Sequence, residues 1–266
     1  NLWIQPAAGD AGGALGAALH CSFLNGFSYK KNNLDDFMQG SYLGPDYSDI
    51  EVEDYLMKEK ASYDKLNFNT LSLLTAKEIK NGKIVGWFQG KAEFGPRALG
   101  NRSILGDARN PQMQKNLNLK IKFRESFRPF APAVLEEDSS NYFKIKSKSP
   151  YMLLVTEVND EIKIKSTKKS TGLDKLKIIR SKIPSVTHVD FSARVQTVSK
   201  KTNQKFYQLI DDFKSLTGDS LIINTSFNVR GEPIVCSPED AFNCFMKTNM
   251  DILVINNFIL YKEKQI

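Results

Sequence analysis

Between Gly86 and Leu135 the chain is rich in basic residues that are separated by glycine, proline and phenylalanine, as in EFGPRALGNRS and KFRESFRPFAP. The basic residues of this stretch are Lys91, Arg97, Arg102, Arg109, Lys115, Lys120, Lys122, Arg124 and Arg128, and its carboxylates are Glu93, Asp107 and Glu125. Turns of this composition aim side chains and expose backbone N–H groups, and the guanidinium fork matches phosphate or carboxylate. The stretch therefore predicts a shaped site for a multiply charged anion. Surface arginines that cap helices and pair with carboxylates are the alternative.

The composition is typical of a soluble globular protein, because 41% of the 266 residues are hydrophobic and 25% are charged. The length suits one large domain or two small ones. The longest apolar stretches, such as ILVI at 252–255, are too short to cross a bilayer, and NLWIQPAAGD does not resemble a signal peptide. Cys21, Cys236 and Cys244 have no metal-binding spacing. We therefore expect a cytoplasmic protein without a membrane partner.

The chain begins abruptly, without an initiator methionine, which suggests a fragment of a longer protein. Close to this end, Asp10 precedes a run of glycine and alanine that can form a helix. An aspartate there is usually an N-cap, and this is the favoured interpretation; a carboxylate at a ligand or metal site is the alternative. The small residues from Gly12 to Ala18 favour tight helix packing.

Patterns of apolar residues, caps and breakers predict a chain that contains both helices and strands. Ser48, followed by acidic residues, begins a helix, and Ser237-Pro238 begins another. The remaining predicted elements are helices over 70–80 and 202–218, a strand over 83–88, a buried strand over 151–158 and a last buried strand over 252–255. Asn81-Gly82 is the predicted domain boundary. Residues 159–182 are rich in lysine, serine and threonine, which indicates a surface insertion; a nucleic-acid arm would be expected to carry more aromatic residues.

Two polar segments late in the chain add candidate ligand-binding residues. His188 lies close to Asp190 and Arg194, in a chain with only two histidines. The apolar strand SLII is followed by NTSFNVRGEP, which contributes Asn224, Ser226, Asn228 and Arg230. Ligands of α/β proteins commonly collect at such strand ends.

Four ordered motifs of this chain resemble one family, the O-carbamoyltransferases of the nodulation-factor and aminoglycoside-antibiotic type. The motifs are GWFQGKAEFGPRALGNRSIL, KIKFRESFRPFAPAVLEE, THVDFSARVQTV and NTSFNVRGEPIVCSPEDA. The likeness extends to LWIQPAAGDAGGALGAAL, so it covers nearly the whole chain apart from 159–182.

The resemblance implies a two-domain enzyme of which this chain is the C-terminal part. Residues 1–80 would be the tail of an actin-like, threonylcarbamoylation-type domain. Residues 81–266 would be a YrdC-like α/β domain with a twisted sheet and helices. Asp10 coincides with a metal-binding aspartate of the family, which reverses the preference for an N-cap. Iron or another divalent metal is expected only in the full-length enzyme, because the family's paired histidines would lie upstream of residue 1.

The resemblance also implies the chemistry. The YrdC-like domain would bind carbamoyl phosphate and ATP, form a carbamoyl-adenylate and supply it for transfer to a small molecule with a hydroxyl group. Arg97, Lys122 and Arg128 would hold the carbamoyl and phosphate groups, with Arg194 at the reacting centre or on the nucleotide side. The further candidates for substrate or nucleotide binding are Asn224, Ser226, Arg124, His188, Asn228 and Arg230.

Two residues depart from the family pattern, and two other functions stay open. Phe191 stands where glycine is usual, and Lys91 stands where arginine is usual, so the turn before Arg194 and one bidentate contact are in doubt. A tRNA-linked enzyme that forms threonylcarbamoyl-adenylate is one alternative, although the motifs favour small-molecule transfer and argue against a nucleic-acid partner. A truncated nucleotide-binding module without catalysis is the other.

We expect that residues 1–266 alone do not carbamoylate any hydroxyl acceptor. The only histidines are His20 and His188, which do not form the paired-histidine motif of the family's metal site. The measurement is product formation by the purified chain with carbamoyl phosphate, ATP and candidate acceptors. Transfer without an added partner would contradict this expectation.

Overall fold

The computed structural model describes residues 4–28, 36, 38–164 and 172–265. Its α-helices are α1 (Asp10–Leu24), α2 (Asp49–Lys58), α3 (Phe68–Lys80), α4 (Met113–Lys120), α5 (Ser139–Tyr142), α6 (Gln204–Thr217) and α7 (Pro238–Lys247). Its strands are β1 (Asp64–Lys65), β2 (Val85–Phe88), β3 (Arg102–Gly106), β4 (Ala131–Leu135), β5 (Leu154–Glu157), β6 (Ser192–Val198), β7 (Leu221–Ser226), β8 (Ile252–Ile255) and β9 (Phe258–Tyr261). Short 3-10 turns lie at Gln39–Ser41, Glu136–Asp138, Asp160–Ile162, Gly172–Lys177, Pro184–Val186 and Lys262–Lys264.

The strands of the described residues form one mixed sheet in the order β1-β9-β8-β2-β3-β7-β4-β6-β5. The β2–β8 and β4–β6 pairs are parallel, and the other neighbours are antiparallel. The central strands β3, β7 and β4 place Leu105, Asn224 and Ala131 side by side. This register brings the strand ends that carry the candidate residues to the middle of the sheet.

Side chains alternate between the two faces of the sheet along each strand, so each face has its own set of apolar residues. Helices cover both faces. On one face, Trp87 and Ile222 pack with the apolar sides of α3 and α6. On the other face, Phe88 and Ile223 pack with residues of α2, α4 and α7. The result is a three-layer α/β arrangement, which confirms the fold class expected from the sequence.

Most local signals are confirmed. Ser48 caps α2 in a capping box with Glu51, and Ser237 caps α7 in the same way with Asp240. Gly218 ends α6 in a left-handed conformation, with φ of 83°. These positions were identifiable because caps depend on residues only three apart in the sequence.

A strand was predicted over 151–158 and forms in part, but the prediction that it is buried is wrong. Only Leu154–Glu157 form β5, which pairs with β6 alone and lies at the edge of the sheet. Val155 is 62% exposed. An apolar sequence cannot distinguish a central strand from an edge strand, because that depends on which strands pair on either side. Part of the predicted insertion at 159–182, residues 165–171, lies outside the described residues.

Helix α1 also differs from its prediction. Gly9 is the N-cap, whereas Asp10 is the first helical residue and its side chain is exposed, so the N-cap interpretation is wrong. No residue of α1 is buried in the described structure, so its small residues do not serve tight packing here. By contrast, α3 lies before the predicted boundary at Asn81-Gly82 and packs on α6. The division into domains at residue 80 stays a prediction.

Phe191, in the turn before β6, occupies the left-handed region with φ of 64°. Its N–H donates to the carbonyl of His188, and the ammonium of Lys163 lies 5.2 Å from the centre of its ring. Left-handed backbone costs a non-glycine residue about 1–2 kcal/mol. Glycine loses more chain entropy on folding than alanine does, and this difference costs about 0.4–1 kcal/mol.

We therefore expect Phe191→Gly to be more stable than Phe191→Ala by about 0.5–1 kcal/mol. Both variants lose the ring, so their difference isolates the backbone. Urea denaturation of the two proteins measures it, and an alanine variant of equal or greater stability would show that the turn is not strained.

Candidate anion-binding site

A cavity of about 160 Å³ lies at the ends of the central strands. Its lining comes from six separate stretches of the chain and is made of Pro96, Arg97, Ala98, Arg124, Pro129, Phe130, Ala131, Met152, Arg194, Asn224, Thr225 and Ser226. Five of the residues predicted from the sequence therefore meet in one place. No carboxylate belongs to this lining, which is drawn from the described part of the chain.

The turn that carries Arg97 is held by a buried carboxylate. One oxygen of Glu93, Oε1, accepts the backbone N–H groups of Leu99 (2.7 Å), Asn101 (2.8 Å) and Arg102 (3.3 Å). Burial raises the pKa of Glu93, and these hydrogen bonds oppose that rise. Glu93 therefore fixes the turn through the backbone, whereas the sequence suggested it only as an ion-pair partner.

Gly95 lies at the tip of the same turn, with φ of 127°. A Cβ atom there would lie 3.0 Å from the Cβ of Ala7, so glycine is needed both for the conformation and for the close approach of the N-terminal segment. Ala7, just before α1, is therefore in direct contact with the turn of Arg97.

The loop after α4 carries Lys122 and Arg124 and is organised by Asn118. The fully buried amide of Asn118 donates to the carbonyls of Ser126 (3.1 Å) and Arg128 (2.8 Å) and accepts from Nε of Arg124 (2.6 Å). The guanidinium of Arg124 also lies 5.0 Å from the ring centre of Phe130.

Lys122 lies behind the cavity rather than in its wall. Its Nζ donates to the carbonyl of Ser226, to both oxygens of Asn228 (2.9 Å to O and 2.8 Å to Oδ1) and to Oγ of Ser226 (3.3 Å). Burial lowers the pKa of Lys122 to about 7, and the charge of Arg124 adds to this effect. Lys122 thus ties the loop after β7 to the loop after α4.

Asn224 belongs to a network of side-chain amides. Its Nδ2 donates to Oε1 of Gln196 (2.7 Å) and to the carbonyl of Ala98 (3.1 Å). Gln196 in turn donates through Nε2 to the carbonyl of Leu99 (2.7 Å). The network connects β6, β7 and the Arg97 turn.

The cavity is strongly positive. Burial lowers the pKa of Arg124 and of Arg194, and the neighbouring charge of Arg97 adds to the effect on Arg194. The Nε atoms of Arg97 and Arg194 are buried without a hydrogen-bond partner. Nη2 of Arg194 meets only the sulfur of Met152 among its hydrogen bonds in the described structure, at 3.8 Å. Guanidinium groups in this state are suited to receive an anion.

Other predicted residues lie outside this lining. Arg128 has a side chain that is 51% exposed and pairs with Glu125 at 2.9 Å. Arg230 is exposed, and half-buried His188 lies in the turn before β6, where burial lowers its pKa. Asn228 lines a second cavity of about 520 Å³, which shares Pro96 with the first. Lys91 is exposed.

The sequence analysis missed Met152, Gln196, Asn118 and the role of Glu93. Gln196 could have been predicted from the sequence, since it stands two residues after Arg194 on a strand and therefore faces the same side of the sheet. Asn118 and Met152 gave no such signal, because their roles depend on how loops fold back over the sheet.

The residues present do not form an iron site by themselves. The described part of the chain has no group of three or more His, Cys, Asp or Glu residues that could hold a metal ion, and Asp10 is exposed. A metal at Asp10 in a longer protein stays a prediction. No helix in the described residues is long and apolar enough to cross a bilayer.

Comparisons with known proteins give a consistent result. The family model described as the carbamoyltransferase C-terminus matches residues 76–262. An uncharacterised protein of Synechocystis sp. is 53% identical over 273 residues, covering 100% of this chain and 44% of that protein. The nodulation protein NolNO of Sinorhizobium fredii is 39% identical over 265 residues, covering 98% of this chain and 36% of that protein. The chain thus spans less than half the length of these relatives.

Among solved structures, full-length HypF in its phosphate- and nucleotide-bound form is 22% identical. That likeness covers 70% of this chain and 25% of HypF, with a TM-score of 0.45.

The buried Lys122 makes stability depend on pH. Its pKa of about 7 in the folded protein lies below the ordinary value of 10.5, so the unfolded chain binds more protons between these values. Relative to Lys122→Met, the wild-type protein should gain about 2 kcal/mol of unfolding free energy between pH 7 and pH 9. Denaturant unfolding of both proteins at several pH values measures the difference. A constant difference would mean that Lys122 keeps its ordinary pKa.

Proposed function

Because the chain belongs to the carbamoyltransferase C-terminal family, we propose that it binds carbamoyl phosphate and ATP and forms a carbamoyl-adenylate for transfer to a hydroxyl group. The single observation that carries this proposal is the cavity walled by Arg97, Arg124 and Arg194 without a carboxylate in its described lining. Three guanidinium groups in one place repel one another unless an anion lies among them.

The size of the cavity supports a small phosphorylated ligand. Its volume of about 160 Å³ suits carbamoyl phosphate or the phosphate part of a nucleotide, but not a whole nucleotide. The second cavity, of about 520 Å³, is lined largely by apolar groups such as Phe94, Pro233 and Ile234. We assign the nucleoside of ATP to this neighbouring space, because both cavities share Pro96.

The proposed chemistry is a displacement at phosphorus. Cleavage of carbamoyl phosphate by water gives carbamate and phosphate; a carbamate oxygen then attacks the α-phosphorus of ATP, and pyrophosphate leaves. Such a transfer depends mainly on positioning and on neutralisation of developing negative charge. Arg97, Arg124 and Arg194 would provide the charge and Ser226 a hydroxyl donor. Lys122 would hold the Ser226 loop in place, and Arg128 and Arg230 would reach the phosphates only if their exposed side chains turn inward.

Transfer to the acceptor belongs to the longer protein in this proposal. Carbamoyl-adenylate would pass to an upstream domain, where a metal near Asp10 and a hydroxyl-bearing small molecule would complete the reaction. Localisation in the cytoplasm is part of the same proposal. It is supported by the three unpaired cysteines.

The test is ATP–pyrophosphate exchange by the purified chain, with and without carbamoyl phosphate. We expect exchange that requires carbamoyl phosphate, and we expect Arg194→Lys to raise the KM for carbamoyl phosphate at least tenfold, because lysine keeps the charge but loses the fork. The control is Arg109→Lys, since Arg109 pairs with Asp107 and Asp219 outside the cavity. Exchange that requires threonine and bicarbonate would favour the tRNA-linked alternative, and nucleotide binding without exchange would favour a non-catalytic module.

A further inference from the structure

The cavity walled by Arg97, Arg124 and Arg194 also contains a hydrogen-bond acceptor, Oδ1 of Asn224, which a phosphate group, itself an acceptor, would not satisfy. Asn224 is fully buried and lines the cavity, and its Oδ1 has no hydrogen-bond partner. A buried acceptor without a donor costs free energy, so such an atom usually has a partner. The arginines beside it could satisfy an acceptor, yet Nε of Arg97 and Nε of Arg194 are unpaired as well.

The direction of this amide is fixed by its neighbours. The carbonyl of Leu99 can only accept, so Gln196 must present Nε2 to it and Oε1 to Asn224. Asn224 must then present Nδ2, which also satisfies the carbonyl of Ala98. Exchanging the oxygen and nitrogen of either amide would set acceptor against acceptor. Oδ1 is therefore the only side-chain atom of Asn224 left to bind a ligand.

We propose that Oδ1 of Asn224 accepts a hydrogen bond from the amino group of the carbamoyl moiety, and that Gln196 is the positioning residue that turns this oxygen toward the ligand. The inference rests on the proposed function and adds the basis of its substrate selectivity. The arginines recognise phosphate or carboxyl oxygens, which occur in any acyl phosphate. Only an amino group distinguishes the carbamoyl compound from its acetyl counterpart, in which a methyl group takes the same place.

Selectivity follows from the cost of leaving Oδ1 without a donor. A site that hydrogen-bonds a substrate N–H group rejects an analogue that lacks it, because the buried acceptor is then desolvated and unpaired. The amide of Asn224 also cannot turn Oδ1 away from a methyl group, since Ala98 and Gln196 hold its Nδ2.

The experiment compares two stable ligands of the same shape and charge. Phosphonoacetamide carries the amino group, and acetonylphosphonate carries a methyl group in its place. Isothermal titration calorimetry on the full chain should show about tenfold or more tighter binding of phosphonoacetamide. Inorganic phosphate is titrated in parallel, as a probe of the arginines alone.

Three variants complete the test. Asn224→Leu should bring the ratio of the two affinities close to one while phosphate still binds, which also reports that the variant is folded. Gln196→Leu should lower the ratio by freeing the amide of Asn224, without removing Oδ1. Gln208→Leu removes an amide that donates to Asp212 on α6, outside the cavity, and should leave the ratio unchanged.

The outcomes separate the inference from the proposed function. Equal affinities for the two ligands in the wild-type chain, or a ratio that survives in Asn224→Leu, would overturn the inference and leave the anion site in place. Failure of all three ligands to bind would overturn the proposed function and the inference together.

Discussion

Like-charge repulsion between partly buried guanidinium groups is the constraint on which this site depends. Arg97, Arg124 and Arg194 approach one another across segments distant in sequence, and no described carboxylate enters their cavity. Only rigid backbone can keep such groups together. Glu93 and Asn118 supply that rigidity, each by binding several backbone groups of one loop. The charged site is thus stabilised by neutral or oppositely charged groups that lie behind it.

The sheet provides the platform for these loops. Leu105, Asn224 and Ala131 lie side by side on β3, β7 and β4, and these strands are covered by apolar helices on both faces. The register places Asn224 beside Ala131 and Gln196 beside Ala133, so their side-chain amides meet across the intervening strand β4. The same register lets Lys122 reach the loop that follows β7. The conformations of the two loops are therefore coupled through one buried ammonium group.

The N-terminal helix α1 differs from the other long helices in its exposure to solvent. No residue of α1 is buried among the described residues, whereas Ala7, just before it, contacts the Arg97 turn at Gly95. The relatives are more than twice as long as this chain, as their coverage of 44% and 36% indicates.

Features that depend on near neighbours could be predicted from the sequence: the caps at Ser48 and Ser237, the α6 stop at Gly218, the helix and strand content and the four motifs that resemble the family. It also placed five of the twelve lining residues among its candidates, including all three arginines of the cavity.

Other features depend on contacts between residues that are distant in the sequence. Arg124 lines the cavity whereas Arg128 pairs with Glu125 at the surface, and β5 is an edge strand. The orientation of Asn224 depends on Gln196 and Ala98, which are 28 and 126 residues away in the chain. Contacts at such separations follow from strand pairing and loop packing, and no short stretch of sequence encodes them.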